Sequence, residues 1–307
     1  MNDRPTAKMH DDEVDTSPAL VRQLLADQFP HWAHLPLKPV PSAGTDHAIY
    51  RLGTDKAVRL PRIGWATGQA EKERHWLPRL GPQLPLAVPQ PLALGQPAAG
   101  YPWAWSVYRW LPGQNVASDT LTNPGETAVA LAHFLAALQQ IDTRDGPLAA
   151  AHHLRGAPLI TRDEAFREAV AALPELYDRT LLTAIWEAAL QAPGWDRAPV
   201  WFHGDVLPGN LLFVNGRLSA IIDFGGLGVG DPACDLMIAW NLFTAAGRAV
   251  LRQALAVDEA TWARGRGHAL AQAVIFIPYY LETNPVGVAY ARRAVAEIVA
   301  EWQQEGN

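Results

Sequence analysis

The chain has 307 residues, of which 49% are hydrophobic and 18% are charged, a balance that predicts a globular protein rather than a disordered one. Its net charge of −6 disfavours nucleic acid as a partner, because a phosphate backbone requires a basic surface. The single cysteine, Cys234, excludes an intrachain disulfide framework and a thiolate zinc site, and no run of about 18 apolar residues indicates a membrane span. We expect a cytoplasmic protein.

The first third of the chain predicts a small lobe that contains a sheet. Residues 1–16 are polar and are expected to form a disordered tail, after which Ser17-Pro18 supplies a helix cap and a first-turn proline. Two β-prone runs, AIYRL and KAVRL, flank the turn sequence GTD and predict a hairpin. TGQAEKERHWLPRL then predicts a helix, PQLPLAVPQPLALGQPAAG an irregular connector, and AWSVYRWL a strand. We assign an N-terminal lobe to residues 17–112.

The remainder of the chain predicts a larger and mainly helical lobe over residues 113–307. Helical periodicity is clear in GETAVALAHFLAALQQI, RDEAFREAVAAL and LLTAIWEAALQ. Three short apolar runs follow, PVWFH, NLLFV and LSAIIDF, with a hairpin turn expected at Asn215-Gly216. From Asp231 onward the pattern is helical again. The fold class predicted from these elements is α+β.

Three polar side chains are predicted to converge at one edge of the C-terminal lobe. Asp205 and Asn210 occur in HGDVLPGN, and Asp223 follows thirteen residues after Asn210 in IIDFG. The hairpin between them returns the chain to its starting point, so Asp223 should lie beside Asp205 and Asn210. Magnesium prefers oxygen ligands of this kind, completed by substrate phosphates, and the remaining carboxylate is left to accept a hydroxyl proton. The alternative is that Asp205 merely caps a turn.

The ordered motifs HGDxxxxN, IDFG and GDPxxD resemble the aminoglycoside phosphotransferase family, which also includes macrolide and choline kinases. This resemblance implies a bilobal protein-kinase-like fold that uses ATP, with GTP also possible, and Mg²⁺. It also implies that Asp205 is the catalytic base and that Asn210 and Asp223 are magnesium ligands. His203 and Asp235 match residues that support the catalytic loop.

The resemblance assigns nucleotide contacts to the N-terminal lobe. PSAGTDHAIYRL matches the phosphate-covering loop, whose backbone N–H groups would face phosphate oxygens. Alternation along the next strand places Ala57 and Arg59 on one face, where Ala57 would contact adenine and Arg59 the phosphates. Arg59 stands where these kinases usually have lysine, and its expected partner is Glu73, with Glu71 as the alternative. The further nucleotide contacts implied are Ser42, Gly44, Thr45, Tyr108 and Trp110.

The acceptor substrate and the residues that bind it are left open by the sequence. Residues 241–307 contain six acidic residues and six arginines, without the acidic excess that a polycationic aminoglycoside would favour. We rank an aminoglycoside ahead of a macrolide, keep a hydroxylated metabolite as a further alternative, and keep an inactive nucleotide-binding module as the alternative of another class. The expected partners are a nucleotide and a small hydroxyl compound, bound by a monomer.

Overall fold

The computed structural model describes residue 10 and residues 12–41, 44–149 and 155–306. The chain divides into two compact units, an N-terminal unit of Met1–Pro82 with Ala87–Pro112 and a C-terminal unit of Gln83–Leu86 with Gly113–Asn307. The helices are α1 (Pro18–Gln28), α2 (Gln69–Leu80), α3 (Pro124–Gln140), α4 (Asp163–Ala172), α5 (Arg179–Gln191), α6 (Ile238–Leu242), α7 (Ala245–Ala254), α8 (Glu259–Tyr280) and α9 (Pro285–Gln304). The strands are β1 (Leu37–Pro39), β2 (His47–Leu52), β3 (Lys56–Pro61), β4 (Pro91–Gly95), β5 (Trp105–Arg109), β6 (Val200–Phe202), β7 (Leu211–Val214), β8 (Arg217–Ile221) and β9 (Gly228–Gly230).

The core of the N-terminal unit is a five-stranded antiparallel sheet with the order β1-β2-β3-β5-β4. The predicted β2–β3 hairpin is confirmed, and Gly53 (φ +61°) allows the backbone to turn there. Along β3, Val58 and Leu60 are fully buried, so the expected alternation between the two faces is present. The side chain of Arg59 therefore lies on the face of the sheet opposite to Val58 and Leu60.

Two strands at the edges of this sheet were not predicted from the sequence. β1 and β4 both contain proline, which lacks a backbone N–H and is tolerated only where no donor is needed on the outer side. The prediction of an irregular connector is wrong for Pro91–Gly95, because this segment pairs with β5. Gly95 permits the pairing, since a Cβ atom there would overlap the indole of Trp105.

Residues 12–16, which belong to the segment expected to be a disordered tail, have specific contacts within the N-terminal unit. The Val14 N–H donates to the carbonyl oxygen of Arg62 over 3.0 Å, and the Tyr50 hydroxyl donates to the carbonyl oxygen of Thr16. His10 is buried and packs edge-on against Trp65, with ring centroids 4.8 Å apart. Residues 1–9 and 11 of the same segment lie outside the described part of the chain.

The C-terminal unit is built around α8, which packs against α4, α5 and α9. The helices predicted in this region are confirmed as α3, α4 and α5, and the predicted β7–β8 hairpin turns at Asn215 (φ +51°) and Gly216 (φ +75°). Two positive φ angles in a two-residue turn match the right-handed twist of the flanking strands. β6 pairs antiparallel with β9. Among the described residues, no helix combines the length and apolar character that spanning a bilayer requires.

Candidate active site

The loop that carries Asp205 begins where β6 ends, at Phe202. Gly204, the next residue but one, has a φ of +83°, and a Cβ atom there would overlap the carbonyl oxygen of Gly226. Only glycine combines this backbone conformation with such a close approach. The Asp205 loop and the segment that follows Asp223 are therefore pressed together at this point.

The side chain of Asp235 binds the backbone of the same loop. Its two carboxylate oxygens accept the backbone N–H groups of His203 (2.8 Å) and Gly204 (2.7 Å), and the residue is only 1% exposed. Burial raises the pKa of Asp235 to about 7, while the two backbone donors act in the opposite direction. This carboxyl group therefore fixes the loop backbone and does not face solvent.

The His203 side chain links the two loops of the site. Its Nδ1 accepts the backbone N–H of Asp205 over 3.1 Å, and its Nε2 lies 3.1 Å from the carbonyl oxygen of Ile222. An Nδ1 acceptor requires the neutral tautomer with hydrogen on Nε2, which donates to Ile222. The ring also packs on Phe224, with centroids 4.4 Å apart.

Asp205 and Asn210 contact each other directly. Asn210 Nδ2 donates to the Asp205 carboxylate over 2.9 Å and to its backbone carbonyl over 2.8 Å. The Asn210 carbonyl oxygen accepts the N–H of Ile222 (2.9 Å), the residue immediately before Asp223. The hairpin thus returns the chain to the backbone of Asn210. In the Asn210 side chain, Nδ2 is bound to Asp205, and the amide oxygen Oδ1 is not.

Asp223 adopts a left-handed backbone conformation, with φ 64° and ψ 71°. This region is unfavourable for a non-glycine residue by about 1–2 kcal/mol, and such outliers concentrate at functional sites. Its Oδ1 accepts the N–H of Gly225 over 3.4 Å. In the described part of the chain, no group of three or more His, Cys, Asp or Glu side chains is arranged to hold a metal. A cation bound by Asn210 and Asp223 would therefore need phosphate or water oxygens as well, which is usual for magnesium.

Two residues that contact the Asp205 loop were missed by the sequence analysis. Asn115 Nδ2 donates to the carbonyl oxygens of Gly209 and Leu211, both at 2.8 Å, and so braces the segment around Asn210. Arg155 Nη2 lies 3.4 Å from Asp205 Oδ1. Both residues lie in irregular segments without periodicity or motif, so no sequence signal could have identified them.

In the N-terminal unit, Arg59 is paired with Glu73. Arg59 Nη1 donates to both Glu73 oxygens (2.8 and 3.0 Å), and Glu73 is 0% exposed. The Tyr108 hydroxyl donates to the same carboxylate, and burial raises the pKa of Tyr108 well above its usual value. Arg59 Nη2 also lies 3.2 Å from His47 Nδ1. Glu71, the alternative partner, is exposed on α2.

The other N-terminal residues assigned to the nucleotide each have separate contacts. Thr45 Oγ1 donates to Asp46 over 2.9 Å, and Gly44 is exposed. Ala57 pairs with Tyr108 in the sheet, while the indole of Trp110 is covered by the Arg51 guanidinium, 3.9 Å from the ring centroid. Ser42 lies outside the described residues.

A β-sheet unit with a buried arginine–glutamate pair and a helical unit with an HGDxxxxN loop braced by a second aspartate define a protein-kinase-like phosphotransferase. The model of the phosphotransferase enzyme family (APH) matches residues 37–268, and the chain belongs to this family. It is a small-molecule kinase by family and by fold. No curated protein matches the sequence.

Solved structures of two groups of phosphotransferases share the fold. The GDP and kanamycin complex of APH(2″)-IIIa is 19% identical, with a TM-score of 0.74, covering 92% of this chain and 98% of that one. The streptomycin–ATP ternary complex of APH(2″)-IIa is 16% identical, with a TM-score of 0.61 and coverages of 94% and 97%. The macrolide 2′-phosphotransferase MphH from Brachybacterium faecium is 26% identical, with a TM-score of 0.57 and coverages of 90% and 97%.

Proposed function

We propose that this protein transfers the γ-phosphoryl group of ATP, together with Mg²⁺, to a hydroxyl group of a small molecule. The observation that carries the proposal is the pairing of Asp205 with Asn210 at a loop that the β7–β8 hairpin brings next to Asp223. Phosphoryl transfer requires little covalent chemistry from the protein, so positioned carboxylate, amide and cationic groups are sufficient machinery.

Asp205 is proposed as the base that orients the acceptor hydroxyl and takes its proton. One of its carboxylate oxygens is held by the Asn210 amide and the other lies near Arg155, so the side chain has a defined orientation. Its backbone is fixed through His203, and the loop before it through Asp235. The contribution of Asp205 is therefore to hold the hydroxyl in line, without a requirement for a raised pKa.

Asn210 and Asp223 are proposed as the magnesium ligands. The amide of Asn210 directs its nitrogen to Asp205, which leaves its oxygen for a cation, and a hard cation suits this amide and carboxylate set. The cation, when bound, supplies charge neutralisation on the nucleotide phosphates. The strained backbone of Asp223 supports a functional rather than a structural role for this residue.

The Arg59–Glu73 pair is proposed to hold the nucleotide phosphates, with Glu73 fixing the guanidinium. Backbone groups around Ser42, Gly44 and Thr45 would cover the phosphates, Ala57 would face the base, and the backbone near Tyr108 and Trp110 would contact its edge. The Tyr108 side chain is not part of this contact, because its hydroxyl donates to Glu73. Arginine offers a planar fork where lysine offers a point charge. Neighbours in this fold are complexes of GDP, ADP and ATP, so GTP belongs in the same tests as ATP.

An aminoglycoside is the first acceptor to test, because neighbours of the same fold are complexes with kanamycin, streptomycin and gentamicin. A specific observation favours a second candidate, an acceptor with less positive charge. Of the six acidic residues in residues 241–307, five pair with arginine, which removes most of the negative charge that a polycation would use. A macrolide fits this charge balance, and the 26% identity with MphH supports it. A hydroxylated metabolite belongs to the same test.

The test is acceptor-dependent ADP or GDP release by the purified protein with Mg²⁺, across kanamycin, gentamicin, a macrolide and a set of hydroxylated metabolites. The Asp205→Asn variant should lose at least about a hundredfold in kcat, while the exposed control Asp196→Asn should behave like wild type. Nucleotide binding without release for any acceptor would support the inactive module instead. Release that survives in Asp205→Asn would refute the assigned role of Asp205.

A further inference from the structure

Arg162 and His268, two side chains of the C-terminal unit, have no role in the proposed mechanism, and both lie near Arg155, which contacts Asp205. Arg155 lies in the loop before α4, Arg162 ends the turn Leu159–Arg162 that leads into α4, and His268 lies on α8. The turn packs against α8. Arg155 and Arg162 each act electrostatically on His268, and Arg155 acts on Arg162. Two like charges, those of Arg155 and Arg162, therefore act on one buried imidazole.

Within the described residues, the half-buried side chain of Arg162 has no acidic partner. Its Nε is buried and has no hydrogen-bond partner among the described residues, and no ion pair with it is found in that part of the chain. Burial, reinforced by the nearby charge of Arg155, lowers the pKa of Arg162 to about 9. A guanidinium with these surroundings is still charged at neutral pH and is poorly compensated by the protein.

His268 lies near these arginines and, in the part of the chain that the structure describes, its ring nitrogens also lack hydrogen-bond partners. It is 1% exposed, and neither ring nitrogen has a hydrogen-bond partner within the described ranges. Burial and the charges of Arg162, Arg155 and Arg264 lower the pKa of His268 to about 3, so the ring is neutral at physiological pH. A neutral imidazole still presents one N–H donor, and a buried donor without an acceptor costs about 1–3 kcal/mol.

Arg155 connects this region to the candidate active site. Its Nη2 lies 3.4 Å from Asp205 Oδ1, a long contact, and its side chain is 17% exposed. The following residue, Gly156, has a φ of +66°, and a Cβ atom there would overlap the Phe202 ring. This packing fixes the backbone next to Arg155 against β6, the strand that leads into the Asp205 loop.

Two fully buried arginines of the same unit do have acidic partners. Arg264 pairs with Asp231 at 2.7 Å, and Arg248 pairs with Glu297 and Glu301. Ordered water could satisfy an unpaired N–H at Arg162 or His268, but water would not balance the charge. The contrast within one unit indicates that the partner of Arg162 is an anion that the described part of the chain does not supply.

We propose that Arg155, Arg162 and His268 form a binding subsite for an oxyanion beside Asp205. The two guanidinium groups would supply charge and forked donors, and the imidazole one further N–H. The same chemistry has two sources in the proposed reaction, the phosphoryl group being transferred and an acidic group carried by the acceptor. Assignment to either source rests on the proposed function, whereas the binding of an oxyanion does not.

Inorganic phosphate is the probe for the subsite itself. Calorimetry and thermal unfolding of the full chain with phosphate, at constant ionic strength set by chloride, should show saturable binding that Arg162→Gln weakens by at least about tenfold. Arg167→Gln is the matched control, because Arg167 lies five residues further along on α4 and is exposed. Arg162→Lys keeps the charge and should retain part of the binding. No saturable binding by wild type, or equal affinity in wild type and Arg162→Gln, overturns the proposal.

Steady-state kinetics with ATP and Mg²⁺ distinguish the two sources of the oxyanion. A lower kcat in Arg162→Gln for neutral and acidic acceptors alike assigns the subsite to the transferred phosphoryl group. A higher KM restricted to acidic acceptors assigns it to the acceptor. Unchanged kinetics with both classes of acceptor overturns the proposal. Asp205→Asn should still bind phosphate, so its phosphate affinity and its loss of transfer separate failure of the subsite from failure of the proposed function.

Discussion

The Arg59–Glu73 pair should contribute measurably to the free energy of unfolding. Glu73 is 0% exposed and the Arg59 side chain only 11%, with two N–H···O contacts of 2.8 and 3.0 Å between them. Glu73→Gln keeps the shape of the side chain but removes its charge, so the charge-assisted hydrogen bonds with Arg59 weaken. Hydrogen bonds to charged groups are worth about 1.5–3 kcal/mol each, and a neutral amide retains part of this. We expect a loss of about 2 kcal/mol in the free energy of unfolding.

Urea unfolding followed by tryptophan fluorescence measures this change, since Trp76 and Trp105 are buried in the same unit. Glu71→Gln, two residues earlier on α2 and exposed, is the control and should stay within about 0.5 kcal/mol of wild type. Nucleotide affinity should fall in Glu73→Gln but not in the control, because Glu73 and not Glu71 is the carboxylate that pairs with Arg59. Equal stabilities of the two variants would refute the importance of this pair, and equal nucleotide affinities would refute its proposed function.

Three further predictions concern the C-terminal unit. Burial raises the pKa of Asp235 to about 7. The protonated carboxyl therefore stabilises the folded protein fully below about pH 4, and this stabilisation of about 4 kcal/mol, at 1.36 kcal/mol per pH unit, is lost as the pH rises through about 7. The free energy of unfolding of wild type should show this dependence on pH, and that of Asp235→Asn should lack it. Gly204→Ala should abolish transfer while Gly209→Ala, where a Cβ meets nothing within 4 Å, should not; equal activities would contradict the close contact of the two loops. Burial raises the pKa of the Cys234 thiol, so a thiol reagent should label it only after denaturation, and rapid labelling of the native protein would show that it is accessible.

The parts of the site that the sequence predicted are those joined by short connections. Asp205, Asn210 and Asp223 lie on one loop and one hairpin, so turn chemistry and strand alternation were enough to bring the loop and the hairpin end together. The placement of Ala57 and Arg59 on one face of β3 was predictable for the same reason, because alternation is a local property of a strand, and Val58 and Leu60 on the other face are buried.

The parts that the sequence did not predict depend on tertiary contacts. The segment Pro91–Gly95 forms a strand because it pairs with β5. Its proline and glycine are not typical of strands, so the sequence did not predict it. Asn115 reaches residues almost a hundred positions later in the chain, and Arg155 reaches Asp205 across fifty. The left-handed backbone of Asp223 is imposed by its surroundings against the intrinsic preference of aspartate.

We propose that Asn210 and Asp223 hold a magnesium–nucleotide complex beside Asp205, and calorimetric titration of Mg–ATP tests this claim most directly. We predict saturable heat for wild type that depends on Mg²⁺, and an affinity lower by at least about tenfold for Asp223→Asn with an unchanged circular dichroism spectrum. No heat for wild type, or the same affinity in both proteins, would contradict the claim.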